Sequence, residues 1–276
     1  MSSEVRFDPG LYAGTAAHYD RYRLPYPGGL IADLLSRTAP SGDGRLLDLA
    51  CGTGQLAFPL ADRFAEVWAV DAEPGMTEAV RAKAAATGVR VRAVTSRAEE
   101  LEAGQGHFEL VVVGNAFHRL DRPRVARLAR GWLAPGGFLA LCWSTSPWAG
   151  PEEWQRALAG LLARWQDDLG AAGRVPPGWA EQRRRDPDHD VLARAGFEPA
   201  ARYGFTVEHG WTVPELAGHV RSTSFLPPAV LADRGPRFDA ELAAVLGPYA
   251  VGGRLTQTVD SAYDLARTPG PPGGGA

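Results

Sequence analysis

The sequence is poor in several residue types, and each scarcity excludes a class of protein. Only two cysteines occur among the 276 residues, Cys51 and Cys142, and neither belongs to a C-x-x-C pair. A disulfide framework and a thiolate zinc site are therefore not expected. The six histidines show no H-x-x-x-H or H-x-H spacing, so we predict no metal site of any kind.

Long apolar runs and an excess of either charge are also missing. The opening segment MSSEVRFDPG has no apolar region, and no run approaches the length of a membrane span, so we expect a soluble, cytoplasmic protein without a membrane partner. The formal net charge is −3 with both signs mixed, which is unlike a nucleic-acid-binding surface. We predict no nucleic-acid partner, and a monomer and a homodimer are both compatible with the sequence.

Strand and helix patterns alternate from Gly44 to Trp143. Five apolar runs are typical of buried strands, and amphipathic segments with helix start and stop signals separate them: RLLDLA, EVWAVD, VRVRAV, FELVVV and FLALCW. Repeated strand–helix–strand units at this spacing predict an α/β fold. We expect a doubly wound, mostly parallel, seven-stranded Rossmann-like sheet with a helical cap inserted after strand 5.

The predicted organisation has five segments. They are N-terminal lid helices at 1–40, a cofactor-binding Rossmann-like core at 41–145, the helical cap insertion at 146–195, the last strands with inserted helices at 196–268, and a disordered tail at 269–276. Within the cap, Trp154 and Trp165 fall on the apolar face of one helix, where packing is expected. The charged run RRRDPDHD is predicted to be a solvated loop.

The segment LLDLACGTGQLA contains the residues that indicate the cofactor. Gly52-x-Gly54-x-x-Ala57 fits the dinucleotide fingerprint, but Asp48 stands four residues before Gly52 at the end of the first strand. A partly buried acid disfavours a pyrophosphate and favours a cationic amino group or sulfonium. Asp71 closes the second strand, where a carboxylate accepts ribose hydroxyls in either kind of site. Asp48 therefore favours a cationic cofactor over NAD.

The motif D-x-x-C-G-T-G at 48–54, followed by VDAEPGM, resembles the class I S-adenosylmethionine-dependent methyltransferases. The resemblance extends from about Tyr12 to Trp143, and YDRYRLPYP, SRAEEL, NAFHRLD and LAPGGFLALCW also recur in that family. These segments fit best a small-molecule subgroup that carries an AFHW signature. The resemblance implies S-adenosylmethionine as the cofactor and S-adenosylhomocysteine as the product.

The resemblance also implies a set of cofactor-binding residues: Tyr19, Arg23, Asp48, Ala50, Gly52, Gly54, Asp71, Ala72, Met76, Ala98, Glu99 and Asn115. Asp48 would support the cofactor's amino group, Asp71 would accept the ribose hydroxyls, and Arg23 would bind the carboxylate. Pairing of Arg23 with a surface acid, and lid packing of Tyr19, remain open alternatives. Two residues depart from the family pattern, Arg97 in place of an acid and Arg119 in place of a tryptophan.

His118 is the predicted catalytic residue, because it follows the fourth strand at the edge where ligands bind in such folds. It could act as a general base or only shape the site, and both roles remain open. His18, Trp143 and Trp148 are the predicted substrate-binding residues.

The predicted function is methyl transfer to an O or N atom of a small molecule by in-line displacement, in enzyme class EC 2.1.1. A bacterial secondary metabolite is one candidate acceptor. The alternative is a protein that binds S-adenosylmethionine without methyl transfer, as a regulator or a rearrangement catalyst. An NAD-dependent oxidoreductase is disfavoured by Asp48.

Overall fold

A computed structural model describes residues 8–176 and 178–270, and it contains one seven-stranded sheet. The strands are β1 Arg45–Leu49, β2 Glu66–Asp71, β3 Arg92–Thr95, β4 Phe108–Gly114, β5 Leu133–Ser144, β6 Ala201–Trp211 and β7 Leu255–Arg267. The strand order is β3-β2-β1-β4-β5-β7-β6. The first seven residues of the predicted lid and the tail from 271 onward lie outside the described residues.

The pairing confirms the predicted α/β fold with a mostly parallel sheet. Strands β1 to β5 pair in parallel, and β7 runs antiparallel to both β5 and β6. Asp48 lies in register with Ala69 on one side and Val112 on the other. Because parallel strands end at the same edge, the segments that follow β1, β2 and β4 come together there.

Helices cover both faces of the sheet and fill the segments between β5, β6 and β7. They are α1 Ala16–Tyr22, α2 Gly28–Thr38, α3 Ala57–Leu60, α4 Pro74–Thr87, α5 Arg122–Trp132, α6 Glu153–Asp168, α7 Trp179–Arg185, α8 Asp188–Arg194, α9 Val213–Arg221, α10 Pro228–Leu231 and α11 Gly235–Leu246. Among the described residues, no helix has the length and apolar character that crossing a bilayer requires.

Three clusters of buried side chains form the core. Alternate residues of β1 and β4 point to opposite faces of the sheet, so Leu47 and Val111 belong to one cluster and Leu46 and Leu110 to another. The third cluster lies away from these two and joins α6, α9 and α11. Trp154 and Trp165 are buried in it, as predicted. That residues 146–195 form a distinct cap remains a prediction.

Strand β3 is shorter than its predicted run VRVRAV, and β5, at Leu133–Ser144, is longer than its predicted run FLALCW. Strand β3 starts at Arg92 rather than at Val89, because it pairs only with β2 and that pairing begins opposite Trp68. The helix after the glycine loop is confined to Ala57–Leu60 and passes into a short 3₁₀ turn at Ala61–Arg63.

The prediction that RRRDPDHD forms a solvated loop is wrong. Residues 183–190 span the end of α7 and the start of α8, and Asp188 is buried. One Asp188 oxygen accepts a hydrogen bond of 2.9 Å from Nη1 of the buried Arg122, and the other lies 2.7 Å from Nη2 of Arg183. A buried charge is stable only when it is paired, and the partner Arg122 stands 66 residues earlier in the chain.

We expect Asp188→Asn to lower the free energy of unfolding by about 3 kcal/mol, because it leaves the buried Arg122 charge without its closest counterion. Urea unfolding followed by tryptophan fluorescence measures the effect. The control is Asp190→Asn on the same helix, whose side chain is 54% exposed and which should change stability by less than about 0.5 kcal/mol. Equal effects of the two substitutions would contradict the assignment.

Candidate active site

Two adjoining cavities open at the edge of the sheet where β1, β2, β4 and β5 end. The loop cavity lies over the glycine loop and has a volume of about 130 Å³, and the large cavity beside it has about 490 Å³. Both are lined by the same five residues where they meet: Tyr12, Tyr19, Asn115, Ala116 and Arg119. The two cavities therefore form one continuous site.

The loop after β1 owes its shape to residues in the left-handed backbone region. The φ angles are +54° at Ala50, +55° at Gly52 and +83° at Gly54. A side chain at Gly52 would place its Cβ 2.9 Å from the Tyr19 ring, so glycine is required for this close approach. The backbone of Gly52 is thus presented directly to the loop cavity.

Two acids at the strand ends hold this loop through its backbone amides. Asp48 Oδ2 accepts a hydrogen bond of 2.8 Å from the Ala57 amide, and Asp71 Oδ2 accepts one of 2.8 Å from the Gly52 amide. The other Asp71 oxygen accepts from the Glu73 amide at 2.9 Å. Burial raises the pKa of both carboxyls, and the pKa of Asp48, further raised by the charge of Asp71, is about 7.

Most of the predicted cofactor residues line the loop cavity: Tyr19, Ala50, Gly52, Asp71, Ala72, Met76, Ala98, Glu99 and Asn115. Arg23 lines the large cavity instead. Asp48 and Gly54 line neither cavity. The Asp48 side chain is buried and faces the first residue of α3, and a Cβ at Gly54 would lie 2.7 Å from the Phe58 ring.

Asn115 joins the ends of β4 and β5 at the point where the cavities meet. Its φ is +50°, and its amide donates to the Cys142 carbonyl at 2.8 Å. The side-chain oxygen accepts from the Ser144 amide at 3.0 Å, and Nδ2 lies 3.2 Å from the Tyr26 hydroxyl. These bonds fix the amide group of Asn115 at the junction.

The guanidinium of Arg23 binds Ser222. Nε donates to Ser222 Oγ at 2.8 Å, and Nη2 donates to the Ser222 carbonyl at 3.2 Å. The same group lies over the Tyr19 ring, 4.9 Å from its centroid. Among the described residues no acid forms an ion pair with Arg23. Burial raises the pKa of the neighbouring Tyr19 phenol to about 12.

Aromatic side chains form much of the large cavity's wall. The predicted substrate residues Trp143 and Trp148 both line it. Trp143 is flanked by Arg183 and Arg202, whose guanidinium carbons lie 3.8 and 4.6 Å from ring centroids of Trp143. Sequence reasoning missed four other lining residues, Trp211, His219, Phe225 and Arg183. Trp211, His219 and Phe225 lie in the segment GWTVPELAGHVRSTSF, whose aromatic residues were the available signal, whereas Arg183 lies in the charged run RRRDPDHD.

The two histidines predicted for the site, His118 and His18, lie in different places. His118 lies in a 3₁₀ turn at Phe117–Arg119 and lines the large cavity. Burial, reinforced by the charges of Arg119, Arg183 and Arg122, lowers the pKa of His118 to about 3, so its imidazole is neutral at neutral pH. His18 lines neither cavity and stacks on the Tyr22 ring at a centroid distance of 6.0 Å.

Arg97 lines the loop cavity, and Arg119 lies where the two cavities meet. Arg97 Nε lies 3.7 Å from a Glu99 oxygen and 3.5 Å from Glu100. Arg119 Nη2 donates to Ser224 Oγ at 3.2 Å, and its guanidinium lies 5.0 Å from the Tyr12 ring centroid. Arg119 therefore links the N-terminal segment to the segment that follows α9.

Part of the chain that bounds this site is similar to known proteins. Residues 46–137 match the model of the methyltransferase domain. An uncharacterized methyltransferase of Mycobacterium tuberculosis is 37% identical over 172 residues, which cover 59% of this chain and 64% of that protein. A ubiquinone biosynthesis O-methyltransferase of Cereibacter sphaeroides is 28% identical over 190 residues, covering 66% of this chain and 72% of that protein.

Solved structures share the fold. The structure of the YcgJ protein of Bacillus subtilis aligns with a TM-score of 0.54 at 16% identity, covering 89% of this chain and all of that one. The matched domain contains β1, the glycine loop and the ends of β2 and β4, which together bound the loop cavity. Residues 46–137 thus match a methyltransferase domain, on a fold that these solved structures share.

Proposed function

We propose that this protein transfers a methyl group from S-adenosylmethionine to an oxygen or nitrogen atom of a small molecule in the large cavity. The observation that carries the proposal is the junction of the loop cavity with a second cavity of about 490 Å³, a volume typical of small-molecule sites. The similarity to an O-methyltransferase supports an oxygen acceptor, and a secondary metabolite with a planar ring would suit the aromatic wall.

The residues of the loop cavity fit the cofactor of the family. Each Asp71 oxygen accepts one backbone N–H, so lone pairs remain for the two ribose hydroxyls. Buried Met76 and Ala98 offer apolar contact to adenine. Arg23, which no described acid neutralises, suits the carboxylate of the methionine part. Bound S-adenosylmethionine supplies the methyl group on a positively charged sulfur.

The residues of the large cavity orient the acceptor. The attacking atom forms a bond to the methyl carbon while the carbon–sulfur bond breaks, and the acceptor releases its proton to water. In-line alignment accounts for much of the rate in such displacements. A neutral His118 accepts a hydrogen bond from the acceptor, but the surrounding arginines oppose its protonation. We therefore propose that His118 positions the acceptor rather than acting as the base.

Incubation with methyl-labelled S-adenosylmethionine and a panel of phenols, catechols and amines tests this function. We expect transfer of the label to at least one class of acceptor. Asp71→Asn should weaken cofactor binding by about 1.5–3 kcal/mol in calorimetry, the cost of losing hydrogen bonds to a charged group, whereas exposed Asp62→Asn should not. Cofactor binding without transfer to any acceptor would support the non-transferring alternative, and tighter binding of NAD would overturn both.

Asp48 makes cofactor affinity depend on pH. A bound cation favours the ionised carboxylate, so binding is strongest above the pKa of about 7 and weakens as Asp48 takes up a proton at lower pH. Calorimetry from about pH 7.5 to about pH 5.5 should show the cofactor affinity falling by almost tenfold per pH unit at the acid end. Asp48→Asn keeps an acceptor for the Ala57 amide and should abolish most of this slope. An unchanged slope in the variant would refute the assignment.

The positioning role of His118 predicts a particular pH profile. Because the pKa of His118 is about 3, its imidazole stays neutral throughout the working range, and kcat/KM should show no inflection from this residue above about pH 5. His118→Ala should lower kcat/KM without altering this profile or the cofactor Kd. Loss of an inflection near pH 6–7 in the variant would instead identify His118 as the general base.

A further inference from the structure

Helix α1, which carries Tyr19 and leads into Arg23, packs closely on α9. A Cβ at Gly218 would lie 2.4 Å from the Tyr22 ring, so only glycine allows this approach. His219 Nδ1 lies 3.1 Å from the Tyr22 carbonyl oxygen and forms a hydrogen bond with it. These contacts hold α1 on α9 without any contribution from the Ser222 side chain.

Ser222, the residue after α9, is completely buried, and its hydroxyl donates one hydrogen bond and accepts another. Oγ donates to the His219 carbonyl at 2.5 Å, so its single proton is committed. Its lone pair accepts from Arg23 Nε at 2.8 Å. The hydrogen bonds therefore run in one direction, from the Arg23 guanidinium through the Ser222 hydroxyl to the backbone of α9.

This arrangement leaves one edge of the Arg23 guanidinium for a ligand. The edge formed by Nε and Nη2 is taken by the hydroxyl and the carbonyl of Ser222. Nη1 and the second proton of Nη2 form the other edge, which matches the two oxygens of a carboxylate. The Tyr19 ring packs against the guanidinium, with its centroid 4.9 Å from the guanidinium carbon.

We infer that Ser222 is a positioning residue. It holds Arg23 so that the guanidinium edge formed by Nη1 and Nη2 meets the carboxylate of the cofactor. This inference rests on the proposed carboxylate-binding role of Arg23. It also links two parts of the site, because Ser224 and Phe225, which follow within three residues, line the large cavity.

Two probes separate a positioning role from a structural one. S-adenosylhomocysteine carries the carboxylate, and 5′-methylthioadenosine has the same nucleoside and sulfur without the amino-acid part. In the full chain, Ser222→Ala should weaken S-adenosylhomocysteine binding about 5- to 20-fold in calorimetry and change 5′-methylthioadenosine binding by less than about 2-fold. Ser222→Cys, nearly isosteric with a weak acceptor, should give the same selective loss.

Thr223→Val is the matched control. The Thr223 hydroxyl is buried and donates to the Val220 carbonyl at 2.6 Å, as Ser222 does to His219, whereas the Arg23 guanidinium donates to Ser222. This variant should bind both probes like the unmodified protein. In a double variant, Ser222→Ala should have no further effect once Arg23 is replaced by Ala, because the two residues act as one unit.

The outcomes distinguish the inference from the function on which it rests. If Arg23→Ala weakens S-adenosylhomocysteine binding selectively but both Ser222 variants do not, the positioning role is wrong and the proposed function stands. Equal losses for both probes in the Ser222 variants would show a structural role and overturn the inference. If Arg23→Ala leaves S-adenosylhomocysteine binding unchanged, the carboxylate-binding role is wrong and the inference falls with it.

Discussion

Two hydrogen bonds from backbone amides to buried carboxylates hold the loop on which the rest of the site depends. Asp71 binds the Gly52 amide and Asp48 binds the Ala57 amide, so the loop is attached at its middle and at its helical end. Burial raises the pKa of each carboxyl, and repulsion from Asp71 raises the pKa of Asp48 further. A cationic ligand relieves this repulsion, whereas a pyrophosphate would increase it. The geometry of the loop and its ligand preference therefore have the same cause.

Charges around the large cavity have the opposite sign. Arg119, Arg183 and the buried Arg122 surround His118 and oppose its protonation, and Asp188 neutralises part of this charge through its ion pairs. A neutral imidazole in such surroundings can accept a hydrogen bond, but it is a weak base. The two cavities therefore differ in charge: acids border the loop cavity, and arginines border the large cavity.

Much of the fold and part of the site follow from local patterns. Strand periodicity and the positions of glycine and proline predict the sheet, because buried parallel strands need nearly continuous apolar runs. That Asp71 and Asn115 line one cavity is also predictable, since Asp71 ends β2, Asn115 follows β4, and the ends of parallel strands share one edge. The loop prediction for RRRDPDHD failed because the environment of Asp188 depends on a residue distant in sequence, Arg122.

The sequence by itself determined the α/β architecture, the glycine loop and the acids at the strand ends, because each is encoded within a few consecutive residues. Only the tertiary structure decided that Asp48 points to the start of α3, that Ser222 holds Arg23, and that three arginines keep His118 neutral. Arg23 and Ser222 lie 199 positions apart. Their contact depends on the packing of α1 against α9, which no local pattern specifies.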